Sequence, residues 1–278
     1  RTTSALLVTV AVALACVAAA RPQYGRGTRV LPATNLDVVL VLDYSKSMYA
    51  RDVAPSRIER AKIEVARLVQ KLGGARMGAI AFAGEPLAFP LTSDGAAIAQ
   101  FFRGLEPNDM PVGGTAIARA LDAGRELFAR DPVSERHEKV LVLVTDGEDL
   151  AGDPVAVAAS LHARKIRVEV VQIGGQSPEP IPDIAEDGSS RGLRKDDQGN
   201  LLTTALSAEG EKQLESIATT TGGRYQKAGR GEVGIDEIGD RLRALMTEEL
   251  SERVETVYAD VFHYPLALAV FLLFVEAF

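Results

Sequence analysis

The sequence predicts an α/β fold: a doubly wound, mostly parallel central sheet with one antiparallel edge strand and helices on both faces, flanked by an N-terminal and a C-terminal transmembrane helix. Three observations lead there. Short, almost continuously apolar runs alternate along the chain with stretches of helical period. Most of those runs are too apolar to keep a wet face, as central parallel strands covered on both sides require. The 278 residues, 46% hydrophobic and 25% charged, supply enough apolar surface for a real core.

The chain opens on Ala5–Ala20 (ALLVTVAVALACVAAA), an uncharged run whose one polar side chain, Thr9, can bond to a carbonyl one turn back. A membrane helix over residues 4–20 is expected, a little short of the roughly 20 residues a full span needs. The rival reading is a signal peptide cleaved after Ala18-Ala19-Ala20. Strands follow at Leu36–Leu42, Met77–Ala83, Val140–Thr145 and Val168–Ile173, and Leu87–Leu91 behind Gly84 and Pro86 reads as the antiparallel edge.

Between strands, Ile58, Ala61, Val65, Leu68 and Leu72 recur at helical spacing behind Pro55-Ser56. Ile117, Leu121, Gly124 and Phe128 do so behind Thr115, where the threonine can also cap the helix. Ala156–Ala163 and Leu214–Ala218 supply further helices. Residues 176–204, rich in Pro, Gly, Asp and Ser, form a long excursion with a hairpin near Gln198-Gly199-Asn200.

Glu232–Val257 reads as a charged amphipathic helix returning to a second hydrophobic helix at 263–278, which is cut short at its end. Residues 34–250 thus make one domain. Two spans would place both termini on one side of a membrane. The flanking charges give a mixed answer about which side, with Arg21, Arg26 and Arg29 after the first helix and Glu248, Glu249 and Glu252 before the second.

Composition excludes several functions. Lys+Arg 31 against Asp+Glu 38 gives −7, without the basic footprint nucleic-acid binding needs. Cys16 is the sole cysteine, and His137, His162 and His263 are scattered, which argues against a zinc site. No phosphate loop or dinucleotide fingerprint follows the first strand, and a hydrolase nucleophile elbow is not expected. An aspartyl phosphatase would need an acid where Ser45 stands. The protein therefore reads as no enzyme, with a metal-dependent hydrolase, or a structural membrane protein with a vestigial metal site, as alternatives.

Three oxygen-rich segments fall at strand ends, where ligands bind in open α/β sheets. The first strand runs into Asp43-Tyr44-Ser45-Lys46-Ser47, and a later strand ends in Thr145-Asp146-Gly147-Glu148-Asp149. Between them lies Pro111-Val112-Gly113-Gly114-Thr115. Asp43, Ser45, Ser47, Thr115 and Asp146 offer two carboxylates and three hydroxyls, hard donors suited to Mg²⁺, with Mn²⁺ or Ca²⁺ as alternatives. With two acids the ion stays short of negative charge, more so if Asp146 holds bound waters instead of coordinating directly, and welcomes an outside carboxylate. Glu148 and Asp149 read as a solvated loop face or a supporting layer. Tyr44 and Met48 could either touch a partner or pack into the domain, and Arg57 could pair with Asp52 to brace the loop or form a plain surface pair.

Asp43-x-Ser45-x-Ser47 with a later Thr115 and Asp146 resembles the metal-ion-dependent adhesion site of von Willebrand factor A domains. That resemblance implies Mg²⁺ on these five residues and a partner Asp or Glu completing the shell. Ala20-Arg21-Pro22-Gln23, Asp52-x-x-Pro55-x-Arg57, Pro90-Leu91-Thr92-x-Asp94 and Thr221-Gly222-Gly223-x-Tyr225 extend it to the Bat-type aerotolerance membrane proteins. It implies a bacterial inner-membrane protein with the A domain on the periplasmic side. It also implies partners among other Bat-type membrane proteins and a MoxR-type AAA+ ATPase system, in envelope stress tolerance or protein assembly.

Overall fold

The structure, a computed structural model, describes residues 2–28, 35–147, 152–185, 187–228, 235–250 and 256–277. It divides into two compact units: Ala33–Glu249, and Arg1–Pro32 together with Leu250–Phe278.

Within Ala33–Glu249, six strands form one sheet: β1 (Leu36–Asp43), β2 (Arg76–Phe82), β3 (Pro86–Thr92), β4 (Glu138–Thr145), β5 (Ile166–Gln172) and β6 (Tyr225–Lys227), in the order β6-β5-β4-β1-β2-β3. Every neighbour is parallel except β3, which runs antiparallel to β2. The helices are α1 (Arg57–Lys71), α2 (Gly95–Arg103), α3 (Ile117–Arg130), α4 (Pro154–Ala163), α5 (Ala208–Thr221) and α6 (Ile235–Leu250).

Alternate residues of a strand face opposite sides, and here both sides are covered. Val38, Leu40 and Leu42 pack with Ile58, Val65 and Leu68 of α1, Phe102 of α2 and Leu242 of α6. Val39 and Val41 pack with Ile117 and Leu121 of α3, Leu161 of α4 and Leu214 of α5. Each such side chain, fully buried, contributes about 1.5–3 kcal/mol, which is why β1 tolerates no polar residue between Asp37 and Asp43.

Helix starts follow their caps. Ser56 accepts from the Glu59 amide at α1, Asp94 from Ala96 and Ala97 at α2, Asp153 from Ala156 at α4, and Ser207 from Gly210 at α5. Caps at Asp153 and Ser207 begin α4 and α5 earlier than their apolar periodicity indicates. Helix α2 and strand β6 were not anticipated: α2 is short and buries only Ile98 and Phe102, and β6 has three residues.

Residues 176–204 form short pairings, Glu179–Pro180 with Thr203–Thr204 and Pro182–Ile184 with Ser190–Leu193. A Lys195–Leu201 bridge closes over Asp196–Asn200, where the hairpin was expected. Gly188-Ser189-Ser190-Arg191-Gly192 spells the Gly-x-Ser-x-Gly pattern of a hydrolase elbow. It lies on an exposed hairpin strand, however, and not in a strand-to-helix turn, so it is no elbow.

In the other unit, helices Thr2–Ala19 and His263–Ala277 pack together, and Gln23–Thr28 pairs antiparallel with Thr256–Asp260. Thr9 Oγ1 donates to Ala5 O at 2.8 Å, as its position in an apolar helix demands. Among the described residues no helix is long and apolar enough to cross a membrane. The helix expected over Glu232–Val257 is corrected: it is described over Ile235–Leu250, and Thr256 and Val257, residue types that favour strands, belong to a strand. Arg29, Glu232 and Glu252 lie outside the described residues.

Candidate metal centre

The site forms at the edge of the sheet where β1, β2 and β4 end, at Asp43, Phe82 and Thr145. The first loop turns at once into a short 3-10 helix, Lys46–Tyr49. Its turn is fixed by the Ser45 amide, which donates to Asp43 Oδ1 at 2.8 Å, and Ser45 Oγ and Ser47 Oγ lie 2.9 Å apart. Tyr44 and Met48 are fully buried, and Tyr44 donates its hydroxyl to Phe102 O at 2.6 Å. Packing into the domain, rather than contact with a partner, is their role.

Thr145 locks the loops together. Its hydroxyl donates to Asp43 Oδ2 at 2.6 Å and accepts from the Gly147 amide at 3.0 Å. Asp146 follows, buried. Burial first, and then the charge of Asp146, push the Asp43 carboxyl up to about 7, against the opposing pull of the Thr145 and Ser45 hydrogen bonds. Each carboxylate therefore lies within the other's field.

Thr115 arrives from the loop before α3. The Ala116 amide donates to Ala83 O at 2.8 Å and the Gly84 amide to Val112 O at 2.9 Å, docking this loop on the end of β2. A Cβ on Gly84 would lie 2.4 Å from Gly113 O, so only glycine permits the approach. The capping role expected of Thr115 is not found: the N-cap is Ala116, without a side-chain cap bond, so the buried Thr115 hydroxyl is not used for capping.

Arg57 proves more than a surface brace. It is fully buried, gripping Asp52 through Nε–Oδ1 (2.8 Å) and Nη2–Oδ2 (2.9 Å), while Nη1 donates to Asp146 Oδ2 (2.9 Å) and to Thr204 Oγ1 (2.8 Å). Burial works against the guanidinium charge, but Asp52 and Asp146 outweigh it and raise its pKa. Burial likewise works against Asp52, yet hydrogen bonds from Arg57 and the Gly175 amide hold that carboxyl below its ordinary range. Space for the guanidinium comes from Gly174, at φ +100°, where a Cβ would lie 2.5 Å from Arg57 Nε.

The Asp52-x-x-Pro55-x-Arg57 spacing is visible in the sequence, whereas Gly174, Thr204 and the clamp by Thr145 carry no local signal. Glu148 and Asp149 lie outside the described residues. Among the described residues no group of three or more His, Cys, Asp or Glu gathers as a metal site. What gathers instead is two acids, Asp43 and Asp146, beside the hydroxyls of Ser45, Ser47 and Thr145, all hard oxygen donors.

This site on this sheet defines a von Willebrand factor type A domain, and residues 38–148 match that family's model. Among solved structures, BatB from Bacteroides thetaiotaomicron is 28% identical with a TM-score of 0.67, covering 78% of this chain and 100% of that one. An aerotolerance-related membrane protein from Bacteroides fragilis, solved with multiple mutations to serines, is 31% identical with a TM-score of 0.66, covering 77% of this chain and 99% of that one. A UPF0353 protein of Mycolicibacterium paratuberculosis is 29% identical over 126 residues, 45% of this chain, and the chain spans only 38% of that relative's length. The chain belongs to the von Willebrand factor type A family, within its Bat-type, aerotolerance-related group.

Proposed function

We propose that this protein is a membrane-attached interaction module, not an enzyme, that binds a protein partner through Mg²⁺ held by Asp43, Ser45, Ser47, Thr115 and Asp146. The observation that carries the reading is the pairing of two buried carboxylates in each other's field, with Asp43 served only by the neutral donors of Ser45 and Thr145. A divalent cation relieves that repulsion, and two acids with three hydroxyls fit a hard, oxygen-seeking ion. When bound, the ion supplies a Lewis-acidic position that a partner's Asp or Glu can complete. Both Asp43 oxygens already accept hydrogen bonds, which suits an ion or water holder better than a nucleophile.

Membrane attachment is supported by the apolar side chains that the terminal helices expose, among them Leu6, Val12, Phe271 and Phe274, and by the membrane designation of the Bacteroides fragilis relative. An inner-membrane location with the domain on the periplasmic side, and work beside other Bat-type proteins and a MoxR-type AAA+ ATPase in envelope stress tolerance or protein assembly, extend the same reading.

Capture from bacterial membranes on the immobilised chain tests it. Proteins retained with Mg²⁺ are expected to elute with EDTA, and Asp43→Ala is expected to retain none of them while keeping the far-UV circular dichroism of the parent. Undiminished capture by Asp43→Ala sinks the proposal.

A further inference from the structure

The excursion at 176–204 is tied to the candidate site from three directions. At its start, the Gly175 amide donates to Asp52 Oδ2 at 2.8 Å. At its end, Thr204 accepts from Arg57 Nη1, the same nitrogen that donates to Asp146. In its middle, Asn108 Nδ2 donates to Ile184 O (2.8 Å) and Ala185 O (3.1 Å), while Asn108 Oδ1 accepts from Lys46, which stands between Ser45 and Ser47. Both feet of the excursion thus stand on one Arg57–Asp52 pair, and the nitrogen that holds Thr204 also holds Asp146.

The guanidinium makes this a coupling and not merely a brace. It is planar and rigid. With Nε and Nη2 fixed on Asp52, Nη1 cannot swing away and divides its hydrogens between Asp146 Oδ2 and Thr204 Oγ1. Positive charge arriving at Asp146 weakens that carboxylate as an acceptor for Nη1 and leaves Thr204 as that nitrogen's stronger acceptor. Resting on the ion-binding reading above, we infer that Arg57 is a positioning residue that couples ion occupancy to the excursion, tightening its return foot when the ion binds.

The test is hydrogen exchange by mass spectrometry on the full chain in lipid nanodiscs, in excess Mg²⁺ and in EDTA. The reporting amides are Leu202, bonded to Arg194 O, and Leu206, bonded to Gly175 O. In the parent, Mg²⁺ is expected to slow exchange over residues 202–206 by at least about threefold. Thr204→Val, which keeps shape but removes the acceptor, is expected to lose that response while keeping the Mg²⁺ response at residues 43–47. Thr204→Ser is expected to restore it.

A merely structural Thr204 would speed exchange equally with and without the ion, and the ion-dependent difference would survive in Thr204→Val, which overturns the inference. So does a parent chain that responds at 43–47 and not at 202–206, an outcome needing no variant. No response to Mg²⁺ at 43–47 overturns the ion-binding reading and this inference together.

Discussion

Strand β1 carries a fully buried aspartate at each end, and the domain treats the two in opposite ways. Asp37 is surrounded by donors and positive charge. The Ser134 hydroxyl donates to Oδ2, His137 Nδ1 lies 2.8 Å from Oδ1, and Arg76 Nη1 stands 3.7 Å from Oδ2. Lys139 closes the cluster by donating to Ser134 O and His137 O, and Arg76 reaches on to Asp131. Among the described residues Asp43 receives neutral donors from Ser45 and Thr145, and the charge that raises its pKa is that of Asp146. The site's own cation, Arg57, is directed at Asp146 and Asp52. One acid is closed by its neighbours, and the other is held in a state that something else must complete.

The largest expected effect breaks this contrast if it fails. Asp37→Ala removes the partner of Ser134 and His137 and the charge facing Arg76, and should cost about 3–5 kcal/mol. Asp43→Ala, in EDTA, loses two hydrogen bonds but also the repulsion from Asp146, and should cost no more than about 1 kcal/mol. Urea midpoints of the two variants give the comparison, and equal losses would show that Asp43 is as structural as Asp37.

The next effect is in pH. Asp43 has its folded pKa raised from an ordinary value of 3.8 to about 7, so its contribution to stability is fully present below 3.8 and lost as pH rises through about 7. In EDTA, the melting temperature of the parent minus that of Asp43→Asn should therefore fall across this window, and excess Mg²⁺ should remove the fall. A difference that is flat in EDTA would mean that neither burial nor Asp146 raises the Asp43 pKa.

The smallest effects sharpen the picture by comparing two hydroxyls. Ser134→Ala removes a donor to Asp37 and should cost about 1 kcal/mol at every pH where the protein folds. Thr145→Val removes a hydrogen bond that lowers the Asp43 pKa, and should move the midpoint of the Asp43-dependent slope upward. An unmoved midpoint, read from the same melting series, would remove Thr145 from the account.

The central strands were legible because burial on both faces leaves runs such as Val38–Leu42 no room for polar residues. The loop after β1 was legible because oxygen side chains at 43, 45 and 47 follow directly on such a strand. Helix α2 was not, since Gly95–Arg103 buries only two side chains and gives little periodicity to read. The pairing of Gln23–Thr28 with Thr256–Asp260 left no local trace, because partners so far apart in the chain are chosen by folding and not by composition.

By itself the sequence determined the layered α/β class, the positions of its main strands along the chain and the oxygen donors at 43, 45, 47 and 146 beside the ends of two of them, because each of these is written in residues close together in the chain. Only the tertiary structure decided where Arg57 spends its charge. Its contacts with Asp146 and Thr204 join residues 89 and 147 positions apart, and no local pattern encodes them. They depend on loops brought together by the packed sheet, and on the absent side chain at Gly174 that lets the guanidinium in.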